Sequence, residues 1–265
     1  MNRGAKRTRG VPVRRSIGAL AVLVVACSGD APGPVQPPPN GGPEPYDHVR
    51  APGASAADLL RSTDFDRLLV QVQHVAGFRP SDEGLDNLRA FLETHLDKPG
   101  GVTLQVDAPL AITPQATYSP ADVRALEAAH RTVYTQGTTL ATYLLFLDGS
   151  YSEASNVLGI AYNNTSMAVF QEQIVANTGG PLEPTAATVE GTVANHEFEH
   201  LLGLVNTGSP MQVEHQDEAH GAHCDDQQCL MYYAVRTTDF LSNLLGGMAS
   251  LDQDCLDDLA ANRGS

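Results

Sequence analysis

Apolar positions recur at two different periods along this chain, and the switch between them divides it into elements. Arg67 to His74 (RLLVQVQH) partly alternates apolar and polar residues, which predicts a strand with one wetter face. Leu85, Leu88, Leu92 and Leu96 then recur at spacings of three and four behind Ser81, a good N-cap. That pattern predicts an amphipathic helix over 82–97, stopped by Pro99-Gly100-Gly101. Val102 to Val106 reads as a second strand, and Ser119-Pro120-Ala121-Asp122 as a capping box opening a helix that runs to about Val133. Thr139 to Leu147 reads as a third strand. Two more apolar stretches, Val157 to Tyr162 and Met167 to Phe170, flank the polar Asn163-Asn164-Thr165-Ser166 and predict a hairpin or an edge-strand connection. A helix is expected from Pro184-Thr185 to about Gly203, with Val189, Val193, His196 and His200 near one side. Residues 206–230 lack regular pattern, and a last amphipathic helix is expected from about Thr238 to Ala261. No internal repeat is visible.

The first 26 residues do not belong to this domain pattern. They hold six of the 16 Lys and Arg residues and no Asp or Glu, followed by an apolar run from Ile17 to Ala26 that is too short to span a bilayer. This is the pattern of a cleaved export signal. Its end, Val24-Val25-Ala26-Cys27, resembles the lipobox of bacterial lipoproteins, which implies lipidation of Cys27; the alternative is a plain secretory signal with an incidental cysteine. Ser28 after that cysteine resembles lipoproteins sent on to the outer membrane. Residues 27–53 are rich in Pro and Gly and have little to bury, so they are expected to form an extended tether before a domain spanning 54–265. The formal charge of −15 hides a more acidic remainder, because removing 1–26 leaves 10 − 31 = −21. Such a chain repels phosphate backbones, so nucleic acid is not an expected partner, and membrane contact is expected through the lipid anchor only.

The candidate chemistry lies in His196-Glu197-Phe198-Glu199-His200, an HExxH motif on the expected helix. Residues i and i+4 stack one turn apart, so both imidazoles can face one zinc ion while Glu197 reaches its water as general base. The third ligand must come from the following segment. His215, His220 and His223 are its candidates, with Glu214, Asp217 and Glu218 as carboxylate alternatives.

The longer stretch His196 to Gly203 (HEFEHLLG), followed by Cys229-Leu230-Met231-Tyr232-Tyr233, resembles the metzincin zinc peptidases with their methionine turn. Within that clan, His223 followed by Cys224-x4-Cys229-x-Met231 is similar to the archaemetzincins. The resemblance is strong over 196–233, and over 54–195 it extends only to the order of elements. It implies an α+β fold with a mixed, twisted sheet of about five strands, an active-site helix, a methionine turn at Met231 and a C-terminal helix. It also implies His223 as third ligand, with His220 as runner-up, and Tyr233 as a donor to the oxyanion. The usual metzincin ligand position is taken here by Asn206, whose neutral amide is a poor zinc ligand.

Archaemetzincins carry a later Cys-x-x-Cys that completes a structural zinc site, whereas here only Cys255 follows. In an oxidising compartment a Cys224–Cys229 disulfide is therefore expected, with Cys255 left free; a mixed zinc site of Cys224, Cys229, Cys255 and a histidine is the alternative. Taken together, the expectation is a monomeric, exported zinc peptidase with one catalytic Zn2+, acting on a peptide or protein through a zinc-bound water. Two competing readings are a non-catalytic zinc-binding surface lipoprotein of the same fold and a zinc hydrolase of non-peptide amides or esters.

Overall fold

The computed structural model describes Met1 and residues 45–264. The expected signal segment, Cys27 and the first part of the tether lie outside the described residues. The core is a five-stranded mixed sheet of β1 (Arg67–His74), β2 (Gly101–Val106), β4 (Thr139–Leu147), β6 (Gly159–Asn163) and β7 (Ser166–Phe170), in the order β2-β1-β4-β7-β6. All neighbours are parallel except β6, which pairs antiparallel with β7 and forms one edge. Short β3 (Thr117–Tyr118) and β5 (Ser150–Tyr151) pair separately. The helices are α1 (Ala56–Leu60), α2 (Asp82–His95), α3 (Pro120–His130), α4 (Gln171–Ala176), α5 (Ala186–Leu201) and α6 (Gln253–Arg263).

Central β4 is buried along nearly its whole length, which explains why its sequence is a continuous apolar run rather than an alternating one. Its side chains divide between two cores. Leu140, Leu144 and Phe146 join Leu68, Val70 and Val72 of β1 under the apolar sides of α2 and α5. Tyr143, Leu145 and Leu147 enter the other core with Tyr118 and with Val123 of α3. The expected wetter face of β1 is dry. Gln71 and Gln73 are buried, with Gln71 Oε1 accepting from the amides of Thr132 and Val133 and Gln73 Nε2 donating to the His130 carbonyl. These amide side chains dock the end of α3, so buried polar groups find partners rather than water.

Two expected boundaries change. The last helix is not continuous from Thr238 to Ala261, because 3-10 turns over Thr238–Gly246 end at Gly247, whose φ of +130° no helix accommodates. The chain re-enters helix only at α6, where the Asp252 carboxylate caps the Cys255 amide. The folded body also starts earlier than residue 54. His48 is buried, its ring contacting Thr165 and Arg131, and the Tyr46 hydroxyl donates to Asp58. Residues 46–53 are thus a strap on the domain rather than part of a tether. No described helix is long and apolar enough to cross a membrane.

Candidate metal centre and active site

Thr185 caps α5 by accepting the Thr188 amide, and the helix that follows is buried almost all round, as expected for one sandwiched between a sheet and further chain. Its last turn carries His196, Glu197 and His200. The helix ends at Gly203 (φ +73°), and Val205 and Asn206 also take left-handed backbone, at φ 53° and 62°. A β-branched residue there stores of order 1–3 kcal/mol of strain. Asn206 points to solvent, and the chain runs on to bring His223 back to the helix.

His196, His200 and His223 each offer a ring nitrogen within 4.8 Å of the others. Their ring centroids are 4.9, 5.3 and 5.0 Å apart. Main-chain carbonyls orient two of the rings. His196 Nδ1 donates to Leu230 O and His223 Nδ1 to His220 O, both at 2.7 Å, which fixes the tautomer and leaves each Nε2 buried without a hydrogen-bond partner. The turn at Met231 holds His223 from the other side, since the Cys224 amide donates to Met231 O at 2.9 Å. Burial is the main reason that His196 and His200 stay far below the ordinary imidazole range and His223 at about 4, with neighbouring imidazoles and Arg236 adding to it. Three neutral rings converging on one point, two of them with orphaned buried nitrogens, are a donor set that a divalent transition-metal ion takes.

Glu197 is fully buried, and among the described residues neither carboxylate oxygen has a well-formed hydrogen bond. Burial pushes its carboxyl up to about 7, against the pull of the Arg236 guanidinium and of the nearby Ala161 amide. Space for that side chain is made by Gly159 of β6, where a Cβ would stand 2.8 Å from Glu197 Cγ and 2.9 Å from its Oε1. A cleft of about 400 Å³ opens at this point, lined by Glu197, His200, His223, Ala161, Arg236 and, from the strap, Ala51 and Pro52. A second groove of similar size lies between α2 and residues 248–256 and contains none of the three histidines.

The other residues singled out in the sequence lie as follows. His220 is substantially exposed, bonded to Asp217, and outside the histidine trio. Its ring is stacked on Tyr233 at 3.6 Å and 3°. Tyr233 therefore braces the loop that delivers His223. Met231 is completely buried in the core shared with α5.

The Cys224–Cys229 disulfide is not formed: Cys224, Cys229 and Cys255 are all free and buried. Cys229 Sγ lies 3.6 Å from Cys255 Sγ, whereas Cys224 Sγ lies 3.0 Å from Asp252 Oδ2 and 3.4 Å from His215 Nδ1. The first turn of α6, which starts at Asp252, brings Cys255 against both of the other thiols, so the three sulfurs form one cluster. His215, Cys224, Asp252 and Cys255 form a second group whose ligand atoms lie within 4.8 Å of one another. His215 Nε2 is held by Asp258 at 2.9 Å, which turns Nδ1 toward the sulfurs. Burial opposes charge on His215, but the bonds to Asp258 and Cys224 outweigh it and raise its pKa to about 9. Cys229, on which the other two thiols and two backbone amides converge, is held below the ordinary thiol range.

Sequence reasoning overlooked Gly159, Arg236, Asp252 and Asp258. Their roles depend on contacts across the fold, and only the Asp252 cap, three residues ahead of Cys255, had a local signal.

No protein-family model matches the chain, and neither does any curated protein sequence. Among solved structures it is similar to the crystal structure of archaemetzincin from Methanopyrus kandleri, with 16% identity over 74% of this chain and 96% of that one, at a TM-score of 0.49. It is also similar to metalloproteinase-II from Bacteroides fragilis, with 14% identity over 84% of this chain and 58% of that one, at a TM-score of 0.41.

Proposed function

We propose that this protein is a zinc-dependent peptidase, with His196, His200 and His223 holding the ion and Glu197 acting as general base. The observation that carries the reading is the convergence of three neutral imidazoles beside a buried, unpartnered carboxylate at the floor of one cleft. When bound, zinc would supply Lewis acidity, lowering the pKa of a coordinated water and polarising a substrate carbonyl. Glu197 takes the proton of the attacking water and returns it to the leaving nitrogen, a task suited to a carboxyl whose pKa lies near neutrality. The edge of β6 offers main-chain groups to an extended peptide, and Ala161 already lines the cleft.

The non-catalytic reading is disfavoured by Glu197 itself. A buried carboxylate without partners costs folding energy, and a protein that only bound metal gains nothing from it. The thiol group supports a further, structural zinc ion held by Cys224, Cys255 and His215 with Asp252 or Cys229, closed to solvent and oriented from outside by Asp258.

The test is metal analysis of the purified protein together with Glu197→Gln assayed on a peptide library. Retained zinc with turnover reduced by about 10²–10⁴-fold supports the mechanism, and undiminished turnover overturns it.

A further inference from the structure

Arg236 ends the 3-10 turn Tyr233–Arg236 just beyond Met231 and lines the cleft with Glu197, His200 and His223. Its backbone is anchored to the start of the edge strand, because Arg236 O accepts the Leu158 amide at 2.7 Å and Thr237 bridges to Val157. The side chain is much less engaged. Among the described residues no carboxylate oxygen lies within 4.0 Å of its guanidinium, in contrast to Arg131, Arg79 and Arg89. Among the described residues its Nε is buried and unpartnered, and its one polar contact is a long 3.5 Å approach of Nη1 to Gly159 O. Gly159 is also the residue packed against the Glu197 carboxylate, so guanidinium and general base flank the same point of β6. In a chain whose acidic residues far outnumber its basic ones, a guanidinium left unpaired beside the reacting groups calls for a ligand. Its planar fork matches a carboxylate.

We infer that Arg236 is a specificity-determining residue that binds a substrate carboxylate close to the scissile bond. The course of the edge favours a peptide C-terminus as the source. A strand pairing along β6 would meet Arg236–Thr237 already occupying the edge at Val157–Leu158, so the groove stops at the guanidinium. A chain end with its free carboxylate fits a groove that stops there, and an acidic side chain a residue from the scissile bond is the other source of the same group.

This inference rests on the peptidase reading, and the test separates the two. Peptides identical except for a free or amidated C-terminus, and amidated pairs differing by Glu or Gln at one position, are compared on the zinc-loaded protein, Arg236→Gln and Arg236→Lys. Thermal melts establish that the variants fold. The wild type is expected to prefer the free acid by about ten- to a hundredfold in kcat/KM, with the ratio falling toward one in Arg236→Gln and to an intermediate value in Arg236→Lys. A preference for Glu over Gln instead, lost in the same variants, supports the carboxylate site and assigns it to a side chain. A wild-type ratio near one with clear cleavage overturns the inference but not the peptidase, as does an Arg236→Gln effect equal on every substrate. A readout independent of turnover is the affinity of succinic monohydroxamate relative to its methyl ester. Tighter binding of the acid that Arg236→Gln abolishes supports the site even if no peptide is cleaved, and equal binding overturns it.

Discussion

Two adjacent residues, His223 and Cys224, belong to two different ligand clusters, and the contrast between those clusters explains most of this protein. His223 joins His196 and His200 beneath a cleft of about 400 Å³, next to a carboxylate with no partner. Cys224 joins His215, Asp252 and Cys255, with Cys229 alongside, where every sulfur is completely buried. Both sets use nitrogen-, sulfur- or oxygen-donor chemistry suited to zinc, and both have a histidine steered from outside, by a main-chain carbonyl in one and by Asp258 in the other. What separates them is access. An open cluster can take a water and a substrate, whereas a closed one can only tie chain segments together.

The largest expected effect comes from breaking the open cluster. His223→Ala should weaken zinc binding by more than the roughly 10–100-fold that an outer partner is worth, while His220→Ala should stay within that range. Competition with a chromogenic chelator measures both, and equal losses would mean that the loop carries its ligand elsewhere. Breaking the closed cluster should act on folding instead. Cys255→Ser is expected to lower unfolding stability by roughly 3 kcal/mol or more and to remove one of two bound zinc ions per chain, as read by denaturant titration and metal analysis. A stoichiometry of one in the wild type would reduce that cluster to a set of packed thiols.

The smallest effect concerns the strap that walls the open site. Burial, with Arg131 beside it, pushes the His48 pKa down to about 3, and the Thr135 amide donates to its Nε2. Asp47 acts against that shift, and Arg50 adds to it. The folded state therefore binds this proton less readily than the unfolded chain, whose imidazole titrates near 6.5. Stability is complete above pH 6.5 and falls as pH drops toward 3, by at most roughly 2 kcal/mol at pH 4. His48→Gln should flatten that slope, and hydrogen exchange should show residues 46–53 opening before α6 does. An unchanged slope in the variant would remove His48 from the account.

Much of this was legible in the residues. The spacing of leucines marked α2, the continuous apolar run marked β4, and the helical spacing of His196 and His200 marked the two ligands on α5, because each signal is local and its period is the period of the element. The strap was not. Tyr46 and His48 stand among prolines and glycines, and their partners Arg131 and Thr165 lie far along the chain. For the cysteines the sequence offers two arrangements, a Cys224–Cys229 disulfide and a mixed site of the three thiols with a histidine, and the structure has the thiols free in a cluster of the second kind. Spacing marks Cys224 and Cys229 as neighbours, but which further groups join them is decided by where His215 and the first turn of α6 arrive. Arg236 carried no motif at all, since an isolated arginine gains meaning only from the carboxylates absent around it.

The rings of His196 and His223 are aimed by the carbonyls of Leu230 and His220, and the loop between them is hung on the carbonyl of Met231. Every residue type has a carbonyl, so replacing the side chains at 220 and 230 leaves both of these hydrogen bonds in place, and at 220 removes only the stacking on Tyr233. Insertion or deletion cannot be absorbed in that way. A one-residue slip between 220 and 231 would swing both rings off their common point, so length rather than identity is the quantity this loop must keep.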